Sequence, residues 1–197
     1  MKQDELSCKY SRCQTIKTNR IAFILLLLFF TGMQLFSSAQ TKMNKMKTQS
    51  IVNNPDDEAA IRALEDKFAA ALNAGDIDVM MNNYIQDESL VFFDVVPRKE
   101  YCGADAYRKD WVDFFSHFNG TPKFSITDLG ITVDGNLGFS HSMQHVKGTD
   151  IHGHSVDRTV RVTDGYRKID GKWLIVLEHV SMPVDLATGK IAPTLKP

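Results

Sequence analysis

The fold of this 197-residue chain is decided by the stretch from Arg158 to Pro183, RTVRVTDGYRKIDGKWLIVLEHVSMP. Two alternating runs flank Asp170 and Gly171, and an Asp-Gly pair in this position predicts a β-hairpin because both turn residues must tolerate positive φ. The register that follows places Ile169 opposite Lys172, Lys168 opposite Trp173, Asp164 opposite Leu177, and Val162 opposite His179. We expect this hairpin to form the centre of the sheet.

The two faces of the hairpin differ in polarity. Alternation predicts one mostly apolar face made of Val160, Val162, Asp164, Tyr166, Trp173, Ile175, Leu177 and His179. On the opposite face, Leu174 and Val176 stand among Arg161, Arg167 and Glu178. This mixed composition favours a two-fold contact, so we expect a homodimer formed through the outer face of the sheet.

The N-terminal segment has the features of a secretory signal peptide. Lys17 and Arg20 precede an apolar run over residues 21–30, and Ser37 and Ala39 supply small residues at a cleavage position. We therefore predict a signal peptide over residues 1–39, a flexible linker over 40–54, and an exported protein that is periplasmic or secreted. The alternative is an uncleaved membrane anchor, but a spanning helix needs about 20 apolar residues.

The remaining chain predicts one α+β domain over residues 55–184, followed by a C-terminal tail over 185–197. Asn54 and Pro55 begin a helix that ends at Gly75, a short helix follows Asp76, and a third helix carries an aromatic stripe. Strands are predicted over 90–96, 122–133 and 136–147, with a β-bulge near Thr127 and Asp128 where the alternation changes phase. Three helices packed on a curved, mainly antiparallel sheet account for this order of elements.

The hairpin run RKIDGKWLIVLEHVSMP resembles the terminal strand pair of SnoaL-like domains in the nuclear transport factor 2-like superfamily. That superfamily includes ketosteroid isomerase homologues and the association domain of calmodulin-dependent kinase. The resemblance covers roughly residues 56–183 and implies a cone-shaped fold with a pocket beneath the helices. Function does not follow from the fold, because the superfamily holds isomerases, cyclases, dehydratases and non-catalytic modules.

Two aspartates resemble the acid pair of ketosteroid isomerase. The run FDVVPRKEYCG places Asp94 nine residues before Gly103, the spacing of the catalytic base in those enzymes, and Asp164 falls where they carry a neutral, hydrogen-bonding Asp. A carboxylate in water can abstract a proton, whereas a buried one stays protonated and donates. Phe68 departs from the pattern because it replaces the oxyanion-binding Tyr. The structural alternatives are pairing of Asp94 with Arg98 or Lys99, and pairing of Asp164 with Arg158.

The resemblance implies an interior lined by polar and aromatic side chains. The candidate ligand-binding residues are Tyr84, Phe92, Trp111, His141, Arg158 and His179. Our first interpretation is an exported domain that binds a small, largely apolar molecule with one polar end. One alternative is a proton-transfer enzyme of isomerase, cyclase or hydratase type with Asp94 as general base, and another is a non-catalytic dimerisation module.

Other partners are not indicated by the sequence. A net charge of -1 gives no bulk attraction for nucleic acid or anionic lipid, so neither is expected. His141 and His145 lie about 13 Å apart along one strand, and His152 and His154 lack a carboxylate or Cys at ligand spacing. No metal site and no cofactor are therefore predicted.

Overall fold

The computed structural model describes residues 54–95 and 100–191. The predicted signal peptide, the predicted linker up to residue 53, Arg98, Lys99 and the last six residues of the tail lie outside this range. No helix within it is long and apolar enough to span a membrane.

The described residues form three helices, and side chains cap the first turn of the first two. Helix α1 is Pro55–Ala74, α2 is Ile77–Met81 and α3 is Ala104–Ser116. The Asn54 side chain accepts a hydrogen bond from the backbone N–H of Asp56 at 3.2 Å, and Gly75 ends α1 with a left-handed φ of 72°. The predicted helices are confirmed.

Six strands form one curved sheet. They are β1 (Val91–Phe93), β2 (Tyr101–Cys102), β3 (Lys123–Asp134), β4 (Leu137–Thr149), β5 (Ser155–Ile169) and β6 (Lys172–Ser181), in the order β2-β1-β6-β5-β4-β3. Neighbouring strands are antiparallel except β1 and β6, which run parallel. Strand β2 was not among the predicted strands. Near the C-terminal end of the described residues, β7 (Val184–Asp185) and β8 (Lys190–Ile191) form a small hairpin.

Two irregularities interrupt the ladders of the sheet. The predicted bulge in β3 is confirmed, since the register shifts between Thr127 and Gly130 and Asp128 has a φ of 54°. A second bulge lies in β6, where Gly165 pairs with Leu177 and Tyr166 pairs with Ile175. Val176 is the extra residue between them. Bulges bend strands, and both contribute to the curvature of this sheet.

The bulge at Val176 overturns part of the predicted hairpin register. Pairing near the turn is as predicted, with Lys168 opposite Trp173, but beyond the bulge Asp164 lies opposite Glu178 rather than Leu177. A one-residue shift exchanges the faces of a strand. Glu178 therefore points into the core, while Leu177 and His179 are exposed on the outer face.

Strand β4 also buries a different face from the one that its apolar residues suggested. Its buried side chains are Ser140, Ser142 and Gln144, whereas Leu137 and Phe139 are 57% and 51% exposed. The prediction that His141 lies on the inner face is wrong for this reason. The concave side of β4 is polar because it faces buried acids and hydroxyl groups rather than aliphatic side chains.

Helix α1 contributes core side chains from its later turns and is hydrogen-bonded to the sheet at its first turn. Ile61, Phe68 and Leu72 are almost fully buried, and each such side chain contributes roughly 1.5–3 kcal/mol through burial. At the N-terminus, Asp57 accepts hydrogen bonds from Lys168 Nζ at 2.6 Å and from Trp173 Nε1 at 2.9 Å. These contacts attach the first turn of α1 to both strands of the central hairpin.

Candidate ligand and proton-transfer site

Three buried carboxyl groups from three elements meet inside the cone. Asp164 comes from β5, Glu178 from the neighbouring position on β6, and Glu65 from α1. Their exposed fractions are 2%, 6% and 2%. Within the described residues, the buried polar set holds no Lys, Arg or His that would balance these acids.

Tyrosine hydroxyls supply hydrogen bonds to two of the three acids. Tyr84 donates to Glu178 Oε2 at 2.6 Å, and Tyr107 donates to Glu178 Oε1. Tyr166 donates to Glu65 Oε1 at 2.6 Å and lies 2.8 Å from Ser140 Oγ. Both carboxyl oxygens of Glu178 and one carboxyl oxygen of Glu65 thus accept a hydrogen bond from a tyrosine hydroxyl.

Asp164 is the least satisfied of the three acids. Its Oδ2 atom has a long 3.4 Å contact with Ser140 Oγ, and its Oδ1 atom is buried without a hydrogen-bond partner in the part of the chain that the structure describes. The same holds for Ser142 Oγ on β4 and for Trp111 Nε1 on α3. Such atoms are uncommon in folded proteins, and each calls for a partner such as a water molecule or a ligand.

Burial determines the protonation of the acid cluster. Desolvation raises the pKa of Glu178 to about 7, against the lowering effect of the Tyr107 and Tyr84 hydrogen bonds. Desolvation likewise raises the pKa of Glu65 to about 6. The pKa of Asp164 lies well above its usual range because of burial and the nearby charges of Glu178 and Glu65. The cluster therefore exchanges protons near neutral pH.

Aromatic rings surround the tyrosine hydroxyls. The Tyr107 ring lies 3.9 Å from Phe92, 5.0 Å from Tyr84 and 5.5 Å from Trp111, measured between centroids. Phe68 packs edge-on against Tyr84 and Trp111 at 6.0 and 5.7 Å. The indole is therefore part of the same interior as the acids.

Comparison with known proteins identifies the family. The model for the SnoaL-like domain matches residues 61–185, which is more than half of the chain. The chain belongs to the SnoaL-like domain family. No protein of curated function matches it.

Solved structures agree with the fold of this SnoaL-like domain. An NTF2-like protein of unknown function from Pseudomonas putida KT2440 is 28% identical, with a TM-score of 0.64 over 72% of this chain and 97% of the other. An NTF-2 like protein of unknown function from Shewanella oneidensis MR-1 is 23% identical, with a TM-score of 0.53 over 64% of this chain and 98% of the other.

A third structure matches with lower sequence identity. The ketosteroid isomerase-like protein from Erwinia carotovora atroseptica SCRI1043 is 19% identical, with a TM-score of 0.55 over 64% of this chain and 96% of the other. At this identity the likeness concerns the fold alone. The chain thus has the NTF2-like fold, with helices packed against a curved, mainly antiparallel sheet.

The SnoaL-like domain brings four of the predicted site residues into its interior. Tyr84 and Asp164 belong to the acid and tyrosine network, while Phe92 and Trp111 line it. Phe92 is 1% exposed and stacks on Tyr101 at 4.5 Å. These four residues share one enclosed region.

Asp94 lies at the rim of this region. It follows β1 directly, is partly exposed, and accepts a hydrogen bond from the backbone N–H of Val95 at 2.6 Å. Its negative charge helps to raise the pKa of Glu178, although burial and the charge of Glu65 are larger causes. The two residues suggested as its ion-pair partners, Arg98 and Lys99, lie outside the described range.

The other three predicted residues lie outside the interior. His141 and His179 are exposed on the outer face, where each is paired with Thr163 across the ladder. Arg158 is exposed near the far end of β5, about 20 Å from Asp164 at ~3.3 Å per residue. It therefore cannot form the ion pair with Asp164 that was considered from the sequence.

Sequence reasoning missed Glu178, Glu65 and Tyr107 as members of the site. Glu178 was assigned to the outer face because nothing in the alternating pattern revealed the bulge at Val176. Glu65 follows Leu64 in α1 and is 2% exposed, so helical spacing from Ile61 and Phe68 was the available signal. Tyr107 was assigned to the aromatic stripe without a role for its hydroxyl. In the described residues, no group of three His, Cys, Asp or Glu side chains is arranged to hold a metal ion.

Proposed function

We propose that this SnoaL-like domain binds a small, largely apolar molecule with a polar end inside the cone. The observation that carries the proposal is the set of three buried polar atoms without partners in the described residues: Asp164 Oδ1, Ser142 Oγ and Trp111 Nε1. Leaving a buried polar group unpaired costs about 1–3 kcal/mol. A ligand that bonds to one or more of these atoms recovers part of that free energy, while the aromatic rings accept its apolar part.

Native mass spectrometry of the full purified chain tests this proposal. We expect a bound small molecule, which should leave on denaturation and bind again to the refolded protein. Trp111→Phe keeps a ring of similar shape and removes the indole donor, so we expect it to retain less of the molecule than the wild type. A chain of unliganded mass, with no retention of added small molecules, would contradict the proposal.

A second candidate function is proton transfer. It is favoured by Glu178, a buried carboxyl with a pKa of about 7 held between Tyr84 and Tyr107, with Asp94 at the rim beside it. A general acid or base works best when its pKa lies near the working pH. In this proposal Asp94 takes the proton from the carbon acid, and the Glu178 and tyrosine network stabilises the charge that develops.

Deuterium incorporation tests for proton transfer without a known substrate. Cyclohexanone and cyclohexenone in D2O exchange protons next to the carbonyl, and NMR measures the rate. We expect the wild-type chain to accelerate this exchange and Asp94→Asn to reduce the acceleration by more than about tenfold. Exchange no faster than in buffer would oppose an enzymatic role on these ketones and leave binding as the function.

Two further proposals concern assembly and location. The outer face of the sheet exposes Phe139 and Leu177 on either side of Gly165, and we propose that two copies of the chain pair through it. We also propose export through removal of residues 1–39, on the sequence features described above.

A further inference from the structure

We propose that the polar end of the ligand is an organic cation, such as a protonated amine, held by Asp164. This inference rests on the proposed binding function and specifies the chemical class of the ligand. It starts from the asymmetry of the three acids: Glu178 has a tyrosine donor on each oxygen and Glu65 has one, whereas Asp164 Oδ1 has no partner in the described residues.

The charges around Asp164 favour a positive group over a negative one. Two further carboxyls, Glu178 and Glu65, lie near it, and Asp94 lies at the rim. Among the described residues, the other titratable groups in contact with these acids are the hydroxyls of Tyr84, Tyr107 and Tyr166. A ligand carboxylate would join three acids without a buried base among the described residues, which makes its burial unfavourable.

The walls of the site also suit a cation. The rings of Tyr84, Phe92 and Trp111 each pack against the Tyr107 ring, beside the hydroxyls that bind Glu178. A cation over an aromatic face is attracted by the electrons of the ring, and the attraction is stronger where water is excluded. Ser142, two residues from the Ser140 that pairs with Asp164, has a further buried oxygen without a partner in the described residues.

Proton release follows from this arrangement. The buried acids hold protons near neutral pH because they are desolvated and close together. A bound cation stabilises the ionised form, so it must displace protons from the cluster. Binding of an amine should therefore release protons and strengthen between pH 6 and pH 8, whereas binding of a carboxylate should weaken over the same interval.

Three probes of matched size and different charge test the inference: phenethylamine, phenethyl alcohol and phenylacetate. Calorimetry with the full chain, in buffers that differ in ionisation enthalpy, measures affinity and proton release together. We expect phenethylamine to bind at least about tenfold more tightly than phenethyl alcohol at pH 8, with proton release, and phenylacetate to bind most weakly.

Two variants test whether Asp164 itself, rather than the overall negative charge of the protein, causes the preference for the amine. Asp164→Asn should remove the preference for the amine and the proton release while retaining affinity for the alcohol. Asp157→Asn, which removes an exposed acid from the same strand, should behave as wild type. If Asp164→Asn does not fold, the charge preference and the sign of the pH dependence of the wild type still decide the question.

Each outcome has a distinct meaning. Equal binding of amine and alcohol, or tighter binding of phenylacetate, would overturn the cation inference and leave ligand binding intact. Failure of all three probes to bind, together with an unliganded native mass, would overturn both the inference and the proposed binding function.

Discussion

Asp164 on β5 and Glu178 on β6 lie directly opposite each other across the ladder, and both side chains are buried. Ionising both of two adjacent buried carboxyls is unfavourable, because the two negative charges repel each other and no buried base among the described residues balances them. At least one of the two therefore holds a proton near neutral pH. Both members of this pair have a raised pKa, with burial as the largest cause. The pair exists because of the bulge at Val176.

The first prediction concerns the pH dependence of stability. The pKa of Glu178 is about 7 in the folded chain against an ordinary value of 4.5, and that of Glu65 is about 6. Because the folded pKa values are raised, the stabilisation linked to them is fully present below about pH 4.5 and is lost as pH rises to about 7. For Glu178 alone this amounts to roughly 3 kcal/mol.

Urea denaturation at pH 5, 6, 7 and 8 measures this effect. The wild-type midpoint should fall as the pH rises, and Glu178→Gln should give a flatter profile because glutamine does not titrate. Glu88→Gln, at an exposed position, is the control and should keep the wild-type slope. An unchanged slope in Glu178→Gln would show that this carboxyl does not dominate the pH dependence.

The second prediction concerns the homodimer. Leu177 is 36% exposed and Phe139 is 51% exposed, and the absence of a side chain at Gly165 between them leaves a continuous apolar strip. Phe93 extends this strip by packing edge-on against His179 at 5.7 Å. Leu177→Lys places a charge in the strip and should weaken dimerisation at least about tenfold.

Sedimentation at micromolar concentration measures the association. Leu186→Lys is a matched control, since Leu186 is 96% exposed and lies in the turn between β7 and β8 rather than in the six-stranded sheet. It should remain dimeric. A wild-type chain that sediments as a monomer would disprove the dimer, and dimerisation of Leu177→Lys at wild-type strength would place the interface elsewhere.

The third prediction concerns the leader. The small residues Ser37 and Ala39 predict cleavage after Ala39, which leaves Gln40 as the mature N-terminus. The intact mass of the exported protein measures the cleavage position. Ala39→Leu replaces the small residue and should slow processing, whereas Ala39→Ser should not. Recovery of the uncut chain from the membrane fraction would favour the anchor instead.

The helices and the turn of the central hairpin were predictable because each depends on a short-range signal. Asn54 and Gly75 define α1 through capping, and Asp170 and Gly171 both adopt the positive φ that the turn requires, at 49° and 79°. The bulge in β3 was also predictable, since the phase of its apolar residues changes at Thr127. In each case the residues that determine the structure are near neighbours in the chain.

The composition of the site was less predictable because it depends on long-range packing. The run Leu174 to Leu177 is apolar at every position, so alternation could not reveal that Val176 is an extra residue. The interior face of β4 was also not predicted, since this strand buries Ser140 and Ser142, and Ser140 contacts the buried Asp164 of β5. A rule that places apolar residues inside fails where the interior itself is polar.

The last prediction concerns Asp94, whose charge contributes to the raised pKa of Glu178 although burial is the larger cause. Asp94→Asn keeps the shape and removes the charge, so the pKa of Glu178 should fall, and any acceleration of ketone exchange should fall with it. Carbon-13 NMR titration of the glutamate carboxyls measures the pKa directly. Asp113→Asn, at an exposed position on α3, is the control and should leave the titration unchanged.

Thermal unfolding of the same variant separates the roles considered for Asp94. As a general base at the rim, Asp94 contributes little to stability, so the melting temperature of Asp94→Asn should stay within about 2 °C of wild type, because surface substitutions usually cost less than 0.5 kcal/mol. If Asp94 instead forms an ion pair with Arg98 or Lys99, the substitution should lower the melting temperature and leave the exchange rate unchanged. If Asp94→Asn changes neither the stability, nor the exchange rate, nor the titration of Glu178, then Asp94 is not part of the site. Any proton transfer would then be assigned to Glu178 and Asp164.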